Sequence, residues 1–157
     1  MKIVIFERIF FIFSFIFSNL GLMKLSKKTE ELLLAAQKAR RYSRATYSDF
    51  SVGAALLTIN GEIITGCNIE SSSFGLTICA ERVALTKALS EGKSSFTHLA
   101  VVGPTEDYCP PCGACRQLLY DYAPNLQIIL SKGNDIKIIP LEELLPMAFK
   151  DTNLRKR

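Results

Sequence analysis

The chain has 157 residues, of which 48% are hydrophobic, and its 19 Lys and Arg stand against 15 Asp and Glu for a net charge of +4. That is enough for one domain with a proper core and too little for two, and nine Gly and six Pro exclude a fibrous or low-complexity chain. So small a surplus of charge excludes a strongly basic binder that works by counterion release.

Residues 1–22 stand apart: fifteen are apolar, and six of the ten Phe lie there. The run Ile9–Phe17 is too short to span a bilayer, which takes about 20 residues, but long enough for the apolar region of a signal peptide. Glu7 in the leading segment and Asn19-Leu20-Gly21-Leu22 at the would-be cleavage site speak against a signal. Met23, followed by Lys24-Leu25-Ser26-Lys27-Lys28, reads as the start of a soluble domain. We expect 1–22 to be an extension outside the fold, with a membrane-associated or signal segment as the alternative. The domain is expected over 23–150, followed by a polar tail, 151–157.

From Ser26 to about Tyr42, Leu32, Leu33, Ala36 and Ala39 recur at helical spacing, with Ser26 as N-cap. Tyr42–Phe50 reads as a loop. Val52–Ile59 is β-prone, Asn60-Gly61 marks a tight hairpin, and Glu62–Gly66 returns. Asn68–Leu76 is a Ser-rich loop, and Cys79 to about Leu89 is helical, stopped by Glu91-Gly92. Phe96–Val102 is a buried-type strand and Gly103–Pro111 a loop. Cys112–Tyr122 is helical and closed by Pro124. Leu126–Leu130 and Ile136–Ile139 are strands, and Leu141–Phe149 is a short helix. This α-β-β-α-β-α-β-β-α order predicts one mixed sheet with helices on both faces.

The five Cys are 67, 79, 109, 112 and 115. An odd number fits poorly with a closed disulfide framework, and a chain this long and apolar does not need staples, so metal ligation or catalysis comes first. Cys79-Ala80-Glu81 opens one predicted helix and Pro111-Cys112-Gly113-Ala114-Cys115 another. A C-x-x-C pair in a first helical turn can clamp one metal ion, with Cys79 as third ligand. Three protein ligands leave a fourth position open for water, the pattern of a catalytic zinc. Helix N-termini lower thiol pKa and offset the net charge of three thiolates on Zn²⁺. Arg82 and Arg116 follow the two motifs and can donate hydrogen bonds to the sulfurs, or, as first-turn residues, simply face solvent. Glu81 can exchange a proton with a metal-bound water, or it is simply a favourable acid in a first turn. The competing readings for the cysteines are inert core thiols or a closed structural site with Cys109 or Cys67 as fourth ligand. His98, the one His, sits within a predicted strand and is a poor ligand candidate.

Cys79-Ala80-Glu81 with Pro111-Cys112-Gly113-Ala114-Cys115 resembles the signature of the zinc-dependent cytidine deaminases. Val52-Gly53-Ala54-Ala55-Leu56-Leu57, Gly66-Cys67-Asn68-Ile69-Glu70, Cys112-Gly113-Ala114-Cys115-Arg116-Gln117 and Leu144-Leu145-Pro146-Met147-Ala148-Phe149 resemble the small homotetrameric members that act in pyrimidine salvage. The resemblance runs from about Leu25 to Phe149. It implies a three-layer α-β-α sandwich on one mixed five-stranded sheet, and hydrolytic deamination of cytidine and deoxycytidine in the cytoplasm. It implies one Zn²⁺ per subunit on Cys79, Cys112 and Cys115, with Glu81 as proton shuttle and Arg82 supporting the sulfurs. Asn68 and Glu70 would bind the ribose hydroxyls, Phe50 would pack on the pyrimidine, and the main chain at Ala80, with Ala54 and Cys112, would read the base edge. Phe149 would reach a neighbouring subunit's site, and Phe74 stands near the subunit interface where relatives have Tyr. The implied partners are a free nucleoside and three further copies of the chain, with no nucleic acid, and no membrane for the core domain. Met147 departs from the Gly common at its position, and Asp107-Tyr108-Cys109 matches no motif.

Overall fold

A computed structural model describes residues 27–104 and 107–154. The chain divides into two compact units, residues 1–31 and 32–157. Of the first, residues 27–31 are described; they are helical, and Lys28 Nζ lies 2.9 Å from Glu31 Oε2. The expected extension over 1–22 falls outside the described residues.

Helix α1 covers 27–40 and contributes 32–40 to the second unit. After it come β1 (Gly53–Thr58), β2 (Ile63–Cys67), α2 (Ala80–Ser90), β3 (Phe96–Val102), α3 (Gly113–Tyr122), β4 (Gln127–Lys132), β5 (Asp135–Pro140) and α4 (Leu141–Leu144). The element order is the one the hydrophobic periodicity predicts. The strands form one sheet in the order β2-β1-β3-β4-β5. β3 and β4 run parallel and every other neighbouring pair is antiparallel, so the sheet is mixed.

Every residue of β1 is buried, because helices cover both of its faces. Alternation sends Ala54 and Leu56 to one face, with Leu99, Val101, Ile128 and Leu130 from β3 and β4, under α2 and α3. Ala55, Leu57, Ala100 and Ile129 point to the other face and pack on Leu32 and Ala36 of α1. The result is the expected three-layer α-β-α arrangement. The Asn60-Gly61 turn is a hairpin, with Gly61 at φ +87° and Thr58 N donating to Glu62 O at 2.9 Å. Among the described residues no helix is long and apolar enough to cross a membrane.

One element differs from expectation. The helix predicted over Leu141–Phe149 closes after one turn, at Leu144. Pro146 disfavours helical geometry at the residue before it, and Leu145 accordingly sits at φ −136°, ψ 68°. Met147 then takes a positive φ of 57°, which reverses the chain. The apolar spacing continued past the point where the backbone can follow it.

Gly66 sets the seat of α2. A Cβ there would lie 2.4 Å from Ala80 O and 2.5 Å from Ala84 N, so β2 touches the helix backbone itself. Gly66→Ala is therefore expected to destabilise the fold by about 1–3 kcal/mol in urea unfolding, the usual range for overpacking. An unchanged midpoint would show that α2 can move off the sheet freely.

Candidate metal centre and active site

Two helix starts build the site. Cys79 is the N-cap of α2 (φ −68°, ψ 153°) and Cys112 the N-cap of α3 (φ −66°, ψ 164°). Their carbonyls accept the first helical bonds from Val83 and Arg116, while neither sulfur is used as a cap. Extended N-cap geometry turns both side chains away from their own helices and toward each other. Cys115, on the first turn of α3, is fully buried below them. The three sulfurs lie within 4.8 Å of one another, and Cys79 Sγ and Cys112 Sγ are 3.9 Å apart. Tetrahedral zinc with bonds of about 2.3 Å separates its sulfurs by about 3.8 Å, so the donor set fits that ion in type and spacing.

Among the described residues, neither Cys67 nor Cys109 joins this cluster. Cys109 packs on Gly103 instead, where a Cβ would lie 2.8 Å from its sulfur, and burial pushes its thiol up to about 11. The closed four-cysteine site therefore does not form. Three ligands and one open position remain.

The cluster is tuned even without metal. Hydrogen bonding from the Cys115 thiol, and then from Cys112, lowers the Cys79 thiol well below its ordinary range, against the effect of burial; Arg82 adds to the lowering. Cys115, the buried donor of that bond, is pushed up. Arg82 anchors its guanidinium through Nη2 to Thr77 O at 2.7 Å, and among the described residues its buried Nε–H has no partner. An orphaned donor beside a thiolate cluster is what a ligand sulfur carrying extra electron density would satisfy. Arg116 behaves otherwise: Nε donates to Pro111 O at 2.7 Å and Nη1 to Leu144 O at 2.6 Å. It fastens the loop ahead of Cys112 to the end of α4, so it serves these two carbonyls rather than facing solvent or bonding a sulfur.

Glu81 occupies the first turn of α2 with 4% of its surface exposed. Burial raises its carboxyl, the nearby Cys79 adds to the rise, and its own backbone N–H opposes it. Ala80, immediately before it, is fully buried at the first helical position, where backbone N–H groups have no partner within the helix.

Asn68 and Glu70 lie just beyond β2, and both are already held by the loop before β1. Asn68 Oδ1 accepts from Ser43 Oγ (2.5 Å) and Val52 N (2.8 Å), while Nδ2 donates to Phe50 O (2.9 Å). Among the described residues the second Nδ2–H of Asn68 has no partner. Glu70 accepts from the backbone of Tyr47 (2.7 Å) and Ser48 (3.1 Å) and from the Ser48 hydroxyl, which together keep its carboxyl below the usual range. Phe50 is 39% exposed on this loop, and a Cβ on Gly103 would come 3.6 Å from its ring. The structure brings Cys79, Glu81, Cys112 and Cys115 together. It sets Phe149 elsewhere, beside the C-terminal half of α3, where Gln117 Nε2 donates to Phe149 O at 2.9 Å. There Phe149 lines a surface cleft with Tyr120, Asp121 and Pro124. Ser43 and Ser48, which brace Asn68 and Glu70, were missed from the sequence; serines in a polar loop carry no signal of a partner more than twenty residues away.

A family model described as the cytidine and deoxycytidylate deaminase zinc-binding region matches residues 26–130. The chain belongs to this deaminase family. Cytidine deaminase of Halalkalibacterium halodurans is 48% identical over 120 residues, 75% of this chain and 91% of that protein. Cytidine deaminase of Sporosarcina psychrophila is 45% identical over 128 residues, 80% of this chain and 93% of that protein. The crystal structure of cytidine deaminase from Burkholderia pseudomallei superposes with a TM-score of 0.74 at 44% identity, covering 76% of this chain and 98% of that one. The three-sulfur cluster is positioned to hold a metal ion, and this chain, with its zinc-binding deaminase region, uses one Zn²⁺ as its cofactor.

Metal analysis of the purified deaminase should find one zinc per chain. Cys79→Ser and Cys112→Ser should each lose most of it, while Cys109→Ser and Cys67→Ser keep it. Loss of zinc from Cys109→Ser would return the fourth-ligand reading.

Proposed function

We propose that the chain hydrolyses cytidine and deoxycytidine to uridine and deoxyuridine with release of ammonia. The observation that carries this reading is the open three-sulfur site beside a buried carboxylate. Cys79, Cys112 and Cys115 hold the ion. Bound zinc supplies Lewis acidity that brings the pKa of a water from 15.7 toward about 7. Glu81 moves the protons. Its carboxylate accepts one, delivers it to ring N3 so that C4 becomes electrophilic, and then serves the departing exocyclic amine. Water adds at C4, the C4–N bond breaks, and the atoms balance as nucleoside plus water to keto product plus ammonia. The helix N-termini and Arg82 offset the negative charge of three thiolates.

The free N–H of Asn68 and the carboxylate of Glu70 suit a diol, and both groups are fixed in place before substrate arrives. Glu70 would repel a phosphate, which favours a free nucleoside over a nucleotide or polynucleotide. Phe50 packs on the pyrimidine, and the main chain at Ala80 reads its edge. The domain spans 23–150, works in the cytoplasm, and serves pyrimidine salvage.

The working form in this proposal is a homotetramer. Tyr47, Ile69, Phe74, Leu76 and Ile78 form an exposed apolar surface around the Glu70 loop, with Phe74 75% exposed and its ring 5.9 Å from Tyr47. A second copy would cover that surface and bring Phe149 toward a neighbour's site.

Conversion of cytidine, followed by ultraviolet absorbance with the zinc-loaded chain, tests the activity. Glu81→Gln is expected to keep its zinc and lower kcat by at least about 10²-fold, the lower range for general acid–base catalysis. Near-normal turnover in that variant would overturn the role of Glu81. Light scattering should give four copies per particle, and Phe74→Glu should shift the mass toward smaller species with activity falling alongside; a monomeric, fully active wild type would remove the tetramer from the reading.

A further inference from the structure

The Asp107-Tyr108-Cys109 segment that matches no motif leads directly into Pro111 and Cys112. Of the three cluster cysteines, Cys112 is the exposed one; Cys115 is buried within α3, and Cys79 is half-buried at the start of α2. The position of the Cys112 sulfur therefore depends on how the five residues before it are held. Arg116 fixes one end of that stretch at Pro111 O. The other end is fixed by Tyr108, whose hydroxyl and ring both find partners on β5.

Alternation along β5 puts Asp135 and Lys137 on the face that carries α2 and α3, since Lys137 pairs with Leu130 of the core beneath those helices. Tyr108 lies across this face with its ring against the same core. Its hydroxyl donates to Asp135 Oδ2. Lys137 Nζ stands 4.3 Å from the ring centroid, within cation–π range. One residue earlier, Asp107 Oδ1 accepts from Tyr108 N at 2.8 Å and lies 3.4 Å from Lys132 Nζ at the end of β4. The bond to Asp135 pushes the phenol up to about 12, so it stays a donor throughout the working range.

We propose that Tyr108 is a positioning residue for the metal centre: bonded to Asp135 and stacked under Lys137, it straps the segment ahead of Cys112 to the β4–β5 hairpin and keeps the Cys112 sulfur at ligating distance. This rests on Cys112 being a zinc ligand. The strap acts on how long zinc stays and leaves the reacting groups untouched.

The test is the rate of zinc release from the zinc-loaded enzyme into excess chelator, read with a zinc-sensitive dye. Tyr108→Phe keeps the ring and removes only the hydroxyl bond. It is expected to release zinc about 3- to 10-fold faster, the range for losing one ordinary hydrogen bond. Asp135→Asn should act in the same direction, and the double variant should release no faster than the quicker single one, because both remove one interaction. Glu62→Gln provides the contrast. It breaks the 2.7 Å pair with Lys93, a comparable surface ion pair reaching from the β1–β2 hairpin, and should leave zinc release unchanged. Release from Tyr108→Phe at the wild-type rate would overturn the strap, as would equal acceleration in Glu62→Gln. A wild-type chain that takes up no zinc would overturn the ligand assignment and the strap together. Zinc uptake by wild type with unaltered release in the variant would fell the strap alone.

Discussion

Three sulfurs from two helices must meet at about 4 Å, and no short segment of chain can arrange that by itself. A C-x-x-C turn supplies two of them locally. The third has to arrive from 33 residues earlier in the sequence, at the start of a different helix. The sheet makes this possible. α2 and α3 lie on the same face, joined through β3, with their cores merged into one cluster. Their N-termini are thereby brought side by side, and Cys79 and Cys112 occupy the same N-cap position on each. Gly66 belongs to the same requirement, because it lets the α2 backbone sit directly on β2 and so fixes where Cys79 begins.

That placement also answers the charge problem. Three thiolates around a divalent ion leave a net negative centre, which weakens the ion as a Lewis acid. Two helix N-termini point their positive ends at it, and Arg82 contributes a full charge while tethered to Thr77. Hydrogen bonding from Cys115 and the Arg82 charge both act to lower the Cys79 thiol. Glu81 experiences the opposite pressure, since burial and a nearby thiolate both favour its protonated form. Two acidic groups two residues apart are thus driven in different directions by the same small volume.

Much of this was legible in the sequence, for identifiable reasons. The apolar, β-prone run Val52–Ile59 and the Asn60-Gly61 turn determine β1, β2 and their hairpin through local geometry alone. Phe96–Val102 coincides with β3 because its apolar stretch Leu99–Val102 is what a strand covered on both faces looks like. The cysteine spacing exposed the metal centre. Local reading failed where a longer-range or opposing constraint decided the outcome. Apolar spacing extended the last helix to Phe149, but Pro146 closes it at Leu144. Arg116, a first-turn residue that from its place alone would face solvent or a sulfur, binds Leu144 O, 28 residues away. Tyr108 carried no signal because its partner Asp135 lies 27 residues downstream, on a strand that only the sheet order brings near.

The loop before β1 follows the same logic as the metal centre. Asn68 and Glu70 are polar groups whose own hydrogen-bonding capacity is largely taken up by Ser43, Tyr47, Ser48, Phe50 and Val52. A side chain fixed this way loses little freedom when a substrate arrives, so less of the binding free energy goes into ordering it. Asn68 is also the joint between two functions, since its Nδ2 holds the carbonyl of Phe50, the aromatic residue proposed to pack on the base. A substitution at Asn68 would therefore disturb both the sugar contact and the base contact, and its effect cannot be assigned to the ribose alone. Removing Ser43 or Ser48, which are proposed to touch neither sugar nor base, isolates the contribution of pre-ordering from that of direct contact.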